Sequence, residues 1–279
     1  MMLLIGGLIV LAATAVVGPA LATADGGNGP AGNAPPPTPA PDPGPRRDDA
    51  NRVKDVVQSI VRVFESGHPD GRYDAIVILP DSAGISYGIS QGTDRSGTLD
   101  RIVRDYIAAG GAFARELAPY LPRLQRDETA SVDPQHPPAW VRQLMALLVD
   151  AAADPVMQRV QNSVFTELYW RPALTAARSL GLRHPLSLAV VYDTWIHSGP
   201  QGLSRIRRLF DEVPPAAGGD EQAWTTAYVR ARRNWLSRHP RAAVRATTYR
   251  MDAFGDLIAA ANWSLHTPIR IARPRATIS

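Results

Sequence analysis

A mainly helical α+β domain with one small sheet near its start is what this sequence predicts, and three observations predict it. Apolar residues recur at three- and four-residue spacing over most of the chain after Gly97. A short stretch between Arg72 and Ser90 alternates instead, around a Pro/Gly turn. Hydrophobic residues make up 45% of the 279-residue chain and charged residues 20%, the balance of a globular body rather than a disordered one.

Met1 to Ala22 is almost purely apolar and uncharged. Ala20-x-Ala22 and Ala22-x-Ala24 have the small-x-small spacing that signal peptidase requires, and the run is also nearly long enough to span a bilayer. Residues 1–24 are therefore expected to be a signal peptide or an uncleaved anchor, and the rest to be exported. The expected site is secreted or cell-envelope, with membrane contact only through residues 1–22. Residues 25–48 are rich in Gly, Pro and Ala and read as a disordered spacer. Residues 49–279 are enough for one large domain or two tightly joined lobes.

Asp49 opens the first expected helix, with Val53, Val56, Val57, Ile60, Val61 and Phe64 on one face and Gly67 and Pro69 ending it. Tyr73, Ala75, Val77 and Leu79, the turn Pro80-Asp81-Ser82-Ala83-Gly84, then Ile85 to Ile89 read as a hairpin or small sheet. Helices are expected over 98–120, 139–152, 155–180, 185–198, 201–212, 222–237 and 240–261, and no further strand is expected.

There is no cysteine, which excludes disulfides, thiolate metal sites and a Cys nucleophile. The six histidines show no His-Glu-x-x-His spacing, no Gly-Lys-Ser/Thr phosphate loop is present, and no serine sits in a Gly-x-Ser-x-Gly elbow. No metal and no cofactor is expected. The net charge is +4 and Lys54 is the sole lysine. A basic surface favours anionic partners, but no basic run interleaved with aromatics points to nucleic acid, so none is expected as a partner. The arginines of 230–245 read as a solvated helix face. The six tryptophans read mainly as core, although a Trp face can also stack on a sugar ring.

Two carboxyl groups can cleave a glycosidic bond, one protonated to release the leaving oxygen and one ionised to activate water or attack the sugar. Glu65 fits the acid. It neighbours Val61 and Phe64 and lies at a helix C-terminus, where apolar surroundings and the dipole both disfavour an anion. Asp81 fits the base, in a turn whose free N–H groups can hold it ionised. Ser86 brings a hydroxyl five residues on that could hold a water.

The segment Tyr73 to Ile89, with Asp81-x-x-Gly84-x-Ser86-x-Gly88 inside it, resembles the signature of the family 46 chitosanases, in which Thr stands where Ser86 does. Asp154-Pro155-Val156 with Gln158, Gln161 and Tyr169-x-x-Pro172-Ala173 is similar to that family's long central helix. Val191 to Pro200 is similar to its Tyr-Asp-Thr…His-Gly-Pro segment, and Tyr249-Arg250-Met251-Asp252 with Asn262 to Leu265 to its C-terminal segment. The resemblance covers roughly Val53 to Pro268. It implies a two-lobed lysozyme-like fold and an endo-acting, inverting hydrolase of β-1,4-linked amino-sugar polysaccharide, working as a monomer. It implies Glu65 and Asp81 as the catalytic pair with Ser86 positioning water, and an inverting separation of roughly 6.5–9.5 Å. It further implies a charge network of Asp193 and Arg250 behind the Glu, and substrate contacts from Tyr87, Thr194 and His197. The chain departs from the pattern where acidic residues that grip cationic glucosamine are expected. Val77 and Thr98 stand near two such places, an arginine of the turn is absent, the segment 88–97 is longer, and His197 is one place early. Two other readings stay open: a peptidoglycan hydrolase using the same pair, and a non-catalytic glycan-binding module.

Overall fold

The computed structural model describes residues 47–279 except 81 and 90. The expectations for residues 1–24 and for the spacer up to residue 46 lie outside the described residues, and so does Asp81. Among the described residues, no helix is long and apolar enough to cross a membrane.

Helix α1 (Arg47–Ser66) begins two residues before Asp49, with Asp48 and Asp49 in its first turn, where negative charge is favoured. Val56, Val57, Ile60, Val61 and Phe64 are buried, the face the spacing predicts. Gly67, at φ +80°, ends the helix with its N–H on the Val63 carbonyl. Strands β1 (Ile76–Leu79), β2 (Gly84–Tyr87) and β3 (Gly92–Thr93) form an antiparallel sheet in that order. Leu79 pairs with Gly84 and Ser86 with Thr93.

Helix α2 (Thr98–Ala108) stops well short of the expected Tyr120. Gly110 takes a φ of +69°, and Gly111 lies so close to the Tyr106 ring that a Cβ there would collide with it. This glycine pair ends α2, and the chain continues as the short α3 (Ala114–Leu117) and α4 (Leu121–Leu124). Then come α5 (Ala139–Ala151), α6 (Pro155–Phe165) and α7 (Arg171–Ser179), with a π-helical turn, Thr166–Trp170, joining the last two. Pro172 has no N–H for the ordinary helical ladder, and the wider turn accommodates that break. The Asp154-Pro155-Val156 motif is a helix cap: Asp154 accepts from the Val156 N–H at 2.8 Å, the Ala112 N–H at 2.8 Å and the Tyr106 hydroxyl at 2.7 Å.

Helix α8 (Pro185–Arg207) joins the two helices expected over 185–212, bending at Gly199 (φ 68°, ψ −179°) just before Pro200. Helices α9 (Glu221–Ser237), α10 (Ala242–Arg245) and α11 (Tyr249–Ala259) follow. The chain then forms a second antiparallel hairpin, β4 (Ile269–Ile271) with β5 (Ala276–Ile278). This corrects the expectation of helix alone after Gly97. Ile269, Ile271 and Ile278 are buried, so the strands form because they bury alternate isoleucines, with β5 against α1.

Two apolar clusters account for the packing. One gathers α1, α7, α8, α9, α11 and the second hairpin around Phe64, Trp224, Tyr228 and Phe254. The other gathers the first sheet, α2, α5 and α6 around Tyr87, Leu99, Tyr106 and Leu148. Tyr169 in the π turn touches both clusters. The molecule is thus two-lobed, as the resemblance implies.

Candidate active site

Glu65 sits in the last turn of α1, its side chain only 8% exposed. Its Oε1 accepts from Arg250 Nη2 at 2.6 Å. Arg250, in the first turn of α11, donates through Nη1 to Asp193 Oδ1 at 2.9 Å, and Asp193 Oδ2 accepts from Arg232 Nη1 at 2.5 Å. Four charged side chains from α1, α11, α8 and α9 thus form one buried chain of alternating sign. With Glu65 ionised its charges balance, which favours burial, because an uncompensated ion away from water is costly. Burial alone would push the Asp193 carboxyl up, but Arg232 and Arg250 outweigh it and leave it below its usual range. Burial would push the Arg250 guanidinium down, but Glu65 and Asp193 hold it above its ordinary value. The Tyr249 hydroxyl donates to the Phe64 carbonyl at 2.8 Å, and the Arg250 guanidinium lies 5.6 Å from the centre of the Phe64 ring. The backbone under Glu65 is therefore held as firmly as its carboxylate.

The structure brings Asp193 and Arg250 together with Glu65. Arg232 was missed, because it lies in the arginine-rich stretch read as a solvated face. The signal was present: Thr225, Tyr228, Arg232 and Leu236 share one face of α9, and all are buried. Its neighbours Arg230, Arg233 and Arg238 are exposed, as expected.

On the opposite lobe, Ser86 is buried in β2 and its hydroxyl donates to Gln91 Oε1 at 3.0 Å. Gln161 of α6 fastens the end of this sheet, accepting from the Ile89 N–H at 3.0 Å and donating to the Tyr73 carbonyl at 3.1 Å. Gly88 lies directly beneath it, at φ +81° and so near that a Cβ would collide with Gln161 Oε1. The other end of the sheet is latched by Thr129, whose hydroxyl accepts from the Ile85 N–H at 3.1 Å and donates to Asp94 Oδ2 in a short hydrogen bond.

Asp94 has no exposed surface, and burial pushes its carboxyl up to about 6 against the partial relief of Thr129. The folded state therefore binds this proton more tightly than the unfolded chain does. The favourable term is present at low pH and is lost as pH rises through about 4 to 6. Wild type should accordingly lose stability relative to Asp94→Asn between pH 4 and pH 7. Urea unfolding of both proteins across that range checks it, and parallel curves would refute it.

Two sequence-predicted contacts are corrected. Tyr87 is fully buried and its hydroxyl donates to the Leu148 carbonyl at 2.7 Å. Thr194 is fully buried, donating to the Val190 carbonyl at 2.8 Å and accepting from Tyr228 at 3.2 Å. Both are core residues because their faces of β2 and α8 point into the packed clusters, so neither reaches a ligand. His197 is half-buried with Nδ1 3.1 Å from the Ser198 hydroxyl. Burial, Arg250 and Arg232 hold its imidazole well below its ordinary value, so it is neutral near pH 7.

A crevice runs beside Glu65, with Gln58, Arg62 and Tyr192 on one lobe and Ile89, Asn162 and Phe165 on the other. Among the described residues no tryptophan lines it; Trp170 and Trp224 are buried in the core. Among the described residues, no group of three metal-ligating side chains gathers anywhere. The site therefore offers a carboxyl group rigidly presented to a groove between two lobes, an arrangement suited to proton transfer to a bound chain molecule.

Residues 59–269 match the sequence model of glycosyl hydrolase family 46. The chain is 25% identical over 231 residues to a chitosanase of Bacillus subtilis (strain 168), covering 77% of this chain and 79% of that protein. It is 26% identical over 190 residues to a chitosanase of Streptomyces sp. (strain N174), covering 64% and 65%. Among solved structures, the Gynuella sunshinyii family 46 chitosanase in complex with chitotetraose superposes with a TM-score of 0.69 at 26% identity, over 81% of this chain and 97% of that one. The native chitosanase of Bacillus subtilis MY002 shares the fold, with a TM-score of 0.70 at 23% identity over 81% and 98%.

Proposed function

Because this chain belongs to glycosyl hydrolase family 46 and is a chitosanase-like glycoside hydrolase, we propose that it is an exported, endo-acting enzyme. It cleaves β-1,4-linked amino-sugar polysaccharide with Glu65 and Asp81. The buried chain Glu65–Arg250–Asp193–Arg232, which presents one carboxyl group to the crevice, carries this reading. In the proposed reaction the Glu65 carboxyl gives its proton to the leaving glycosidic oxygen as the C–O bond breaks. Asp81 takes a proton from a water on the other face of the sugar, and that water's oxygen bonds to the anomeric carbon. The Ser86 proton is committed to Gln91, which leaves the Ser86 oxygen as an acceptor to orient that water. The Arg250 clamp fixes Glu65 against the scissile bond, and a fixed acid is worth far more than a mobile one.

Inversion is the outcome when a water sits between two carboxyl groups. Proton NMR of the first product from a β-linked oligomer should show the α-anomer, whereas first release of the β-anomer would point to retention. Reducing-end release from a panel of chitosans, chitin oligomers and peptidoglycan tests the activity itself. Sugar binding with no turnover would point to a binding module. Export rests on residues 1–24, and N-terminal sequencing of protein recovered from the medium or envelope tests it: a first residue near Asp25 marks cleavage, an intact Met1 an anchor.

A further inference from the structure

The first sheet is completed at one end by side chains rather than by a strand. Strand β3 has two residues and pairs with Ser86 and Tyr87 of β2. The chain then turns away, yet Ile85, the next residue of β2, keeps partners for both its backbone groups. Its carbonyl accepts from the Asp94 N–H at 3.0 Å, and its N–H donates to the Thr129 hydroxyl at 3.1 Å. Thr129 belongs to a short 3-10 turn, Glu128–Ser131. Asp94 sets the direction of its hydroxyl. The Asp94 Oδ2 accepts from the Thr129 N–H at 3.2 Å and takes the hydroxyl proton in a short hydrogen bond, which leaves the hydroxyl oxygen as the acceptor for Ile85. Asp94 and Thr129 are both fully buried. Gly84, at φ +76°, lets this turn approach, because a Cβ there would collide with the Thr129 hydroxyl. Arg95 adds two further holds, its N–H on the Ala83 carbonyl at 3.2 Å and its Nη1 on the Ser82 carbonyl at 3.3 Å.

Ser82, Ala83 and Ile85, the residues held in this way, lie in the chain between residue 81 and Ser86. The proposed reaction assigns water activation to Asp81 and Ser86, and the inference rests on that reading. Strand β1 secures one edge of this segment, through the pairing of Leu79 with Gly84 and of Ile78 with Ile85. The Thr129 hydroxyl and the backbone of Asp94 and Arg95 secure the other. Misplacing a reacting group by about 1 Å costs up to about a hundredfold in rate, so a segment held on one edge alone would hold its water poorly. We propose that Thr129, oriented by Asp94, is a positioning residue for water activation. It holds the turn after residue 81 and the strand that carries Ser86 at the separation the attacking water needs. Being fully buried, it acts through the Ile85 backbone and not on the sugar.

The test uses Thr129→Val, which keeps the shape and removes the hydroxyl, and Thr129→Ser, which keeps the hydroxyl. Arg95→Ala, at an exposed residue, spares the core. Tyr106→Phe, which removes a hydroxyl hydrogen bond elsewhere in the same lobe, controls for lost stability. Amide hydrogen exchange by NMR reads the hold on Ile85. Its consequence is read from kcat and KM on a chitosan oligomer of fixed length, at a temperature where each variant is folded. Thr129→Val should speed exchange at Ile85 by about tenfold or more. It should lower kcat by about ten- to a hundredfold with KM changed by less than about twofold. Thr129→Ser should restore most of kcat, Arg95→Ala should lower it by about threefold, and Tyr106→Phe should leave it unchanged. Faster exchange with unchanged kcat would overturn the positioning role and leave the glycosidase reading intact, as would an equal loss of kcat in Tyr106→Phe. Unchanged exchange at Ile85 would overturn the latch itself. If Thr129→Val does not fold, an unchanged kcat in Arg95→Ala overturns the positioning role. A wild type that cleaves no chitosan oligomer, or an Asp81→Asn variant with full kcat, would overturn the site reading and this inference with it.

Discussion

Glu65→Gln is expected to lower kcat for glycan hydrolysis by about a thousandfold, with a far smaller change in KM. General acid–base groups contribute roughly 10²–10⁴-fold, and glutamine cannot supply the proton. It can still accept from Arg250 through its side-chain oxygen, so the clamp that holds the wild-type carboxyl at 2.6 Å keeps a partner. The fold should therefore survive, which near-UV circular dichroism would verify. Asp81→Asn should lower kcat by a comparable factor, because water activation loses its proton acceptor. A loss confined to kcat in both variants is the signature of groups acting in the transition state rather than in binding. If either variant keeps more than about a tenth of wild-type kcat, that residue is not one of the catalytic pair.

The second large effect is on stability. Asp193→Ala removes the carboxylate shared by Arg232 and Arg250 and leaves two guanidinium groups, 0% and 4% exposed, facing Glu65 alone. Removing one partner of a buried ion pair costs about 3–5 kcal/mol. For a domain of this size each kcal/mol shifts Tm by about 2–4 °C, so Tm should fall by roughly 6–20 °C. Scanning calorimetry at fixed pH and salt reads this directly. Asp193→Asn, which keeps an acceptor oxygen, should recover part of the loss, and a drop of under about 3 °C for Asp193→Ala would mean that the network carries little stability.

What was legible in the sequence was local. The apolar stripe of α1 and the glycine that ends it placed Glu65 in a last helical turn, and the Pro/Gly turn between alternating stretches placed the first hairpin. Asp193 and Arg250 came from the family resemblance. What escaped depended on partners distant in the chain. All four positions of β2 are buried, so its alternation does not tell cleft from core, and Tyr87 fell on the core side. Helix α8 is packed against α1, α7 and α9, so Thr194, one position from Asp193, is covered by a different neighbour. Strands β4 and β5 have three residues each, too few for a periodic signal, and exist because α1 gives their isoleucines a surface to cover. The interruption of the α6–α7 run and the end of α2 at Gly110-Gly111 were written in Pro and Gly residues, and the helical periodicity on either side masked them.

The clamp on Glu65 joins side chains 185 positions apart. An acid supplied early in synthesis is thus seated only by a cation supplied near the end, and β5 reaches the same first helix later still. During translation the emerging polypeptide holds Glu65 without the group that clamps it. On the proposed reading of Glu65 as the acid, cutting of glycan waits until Arg250 has been made, and the cell that makes this hydrolase is spared a working fragment.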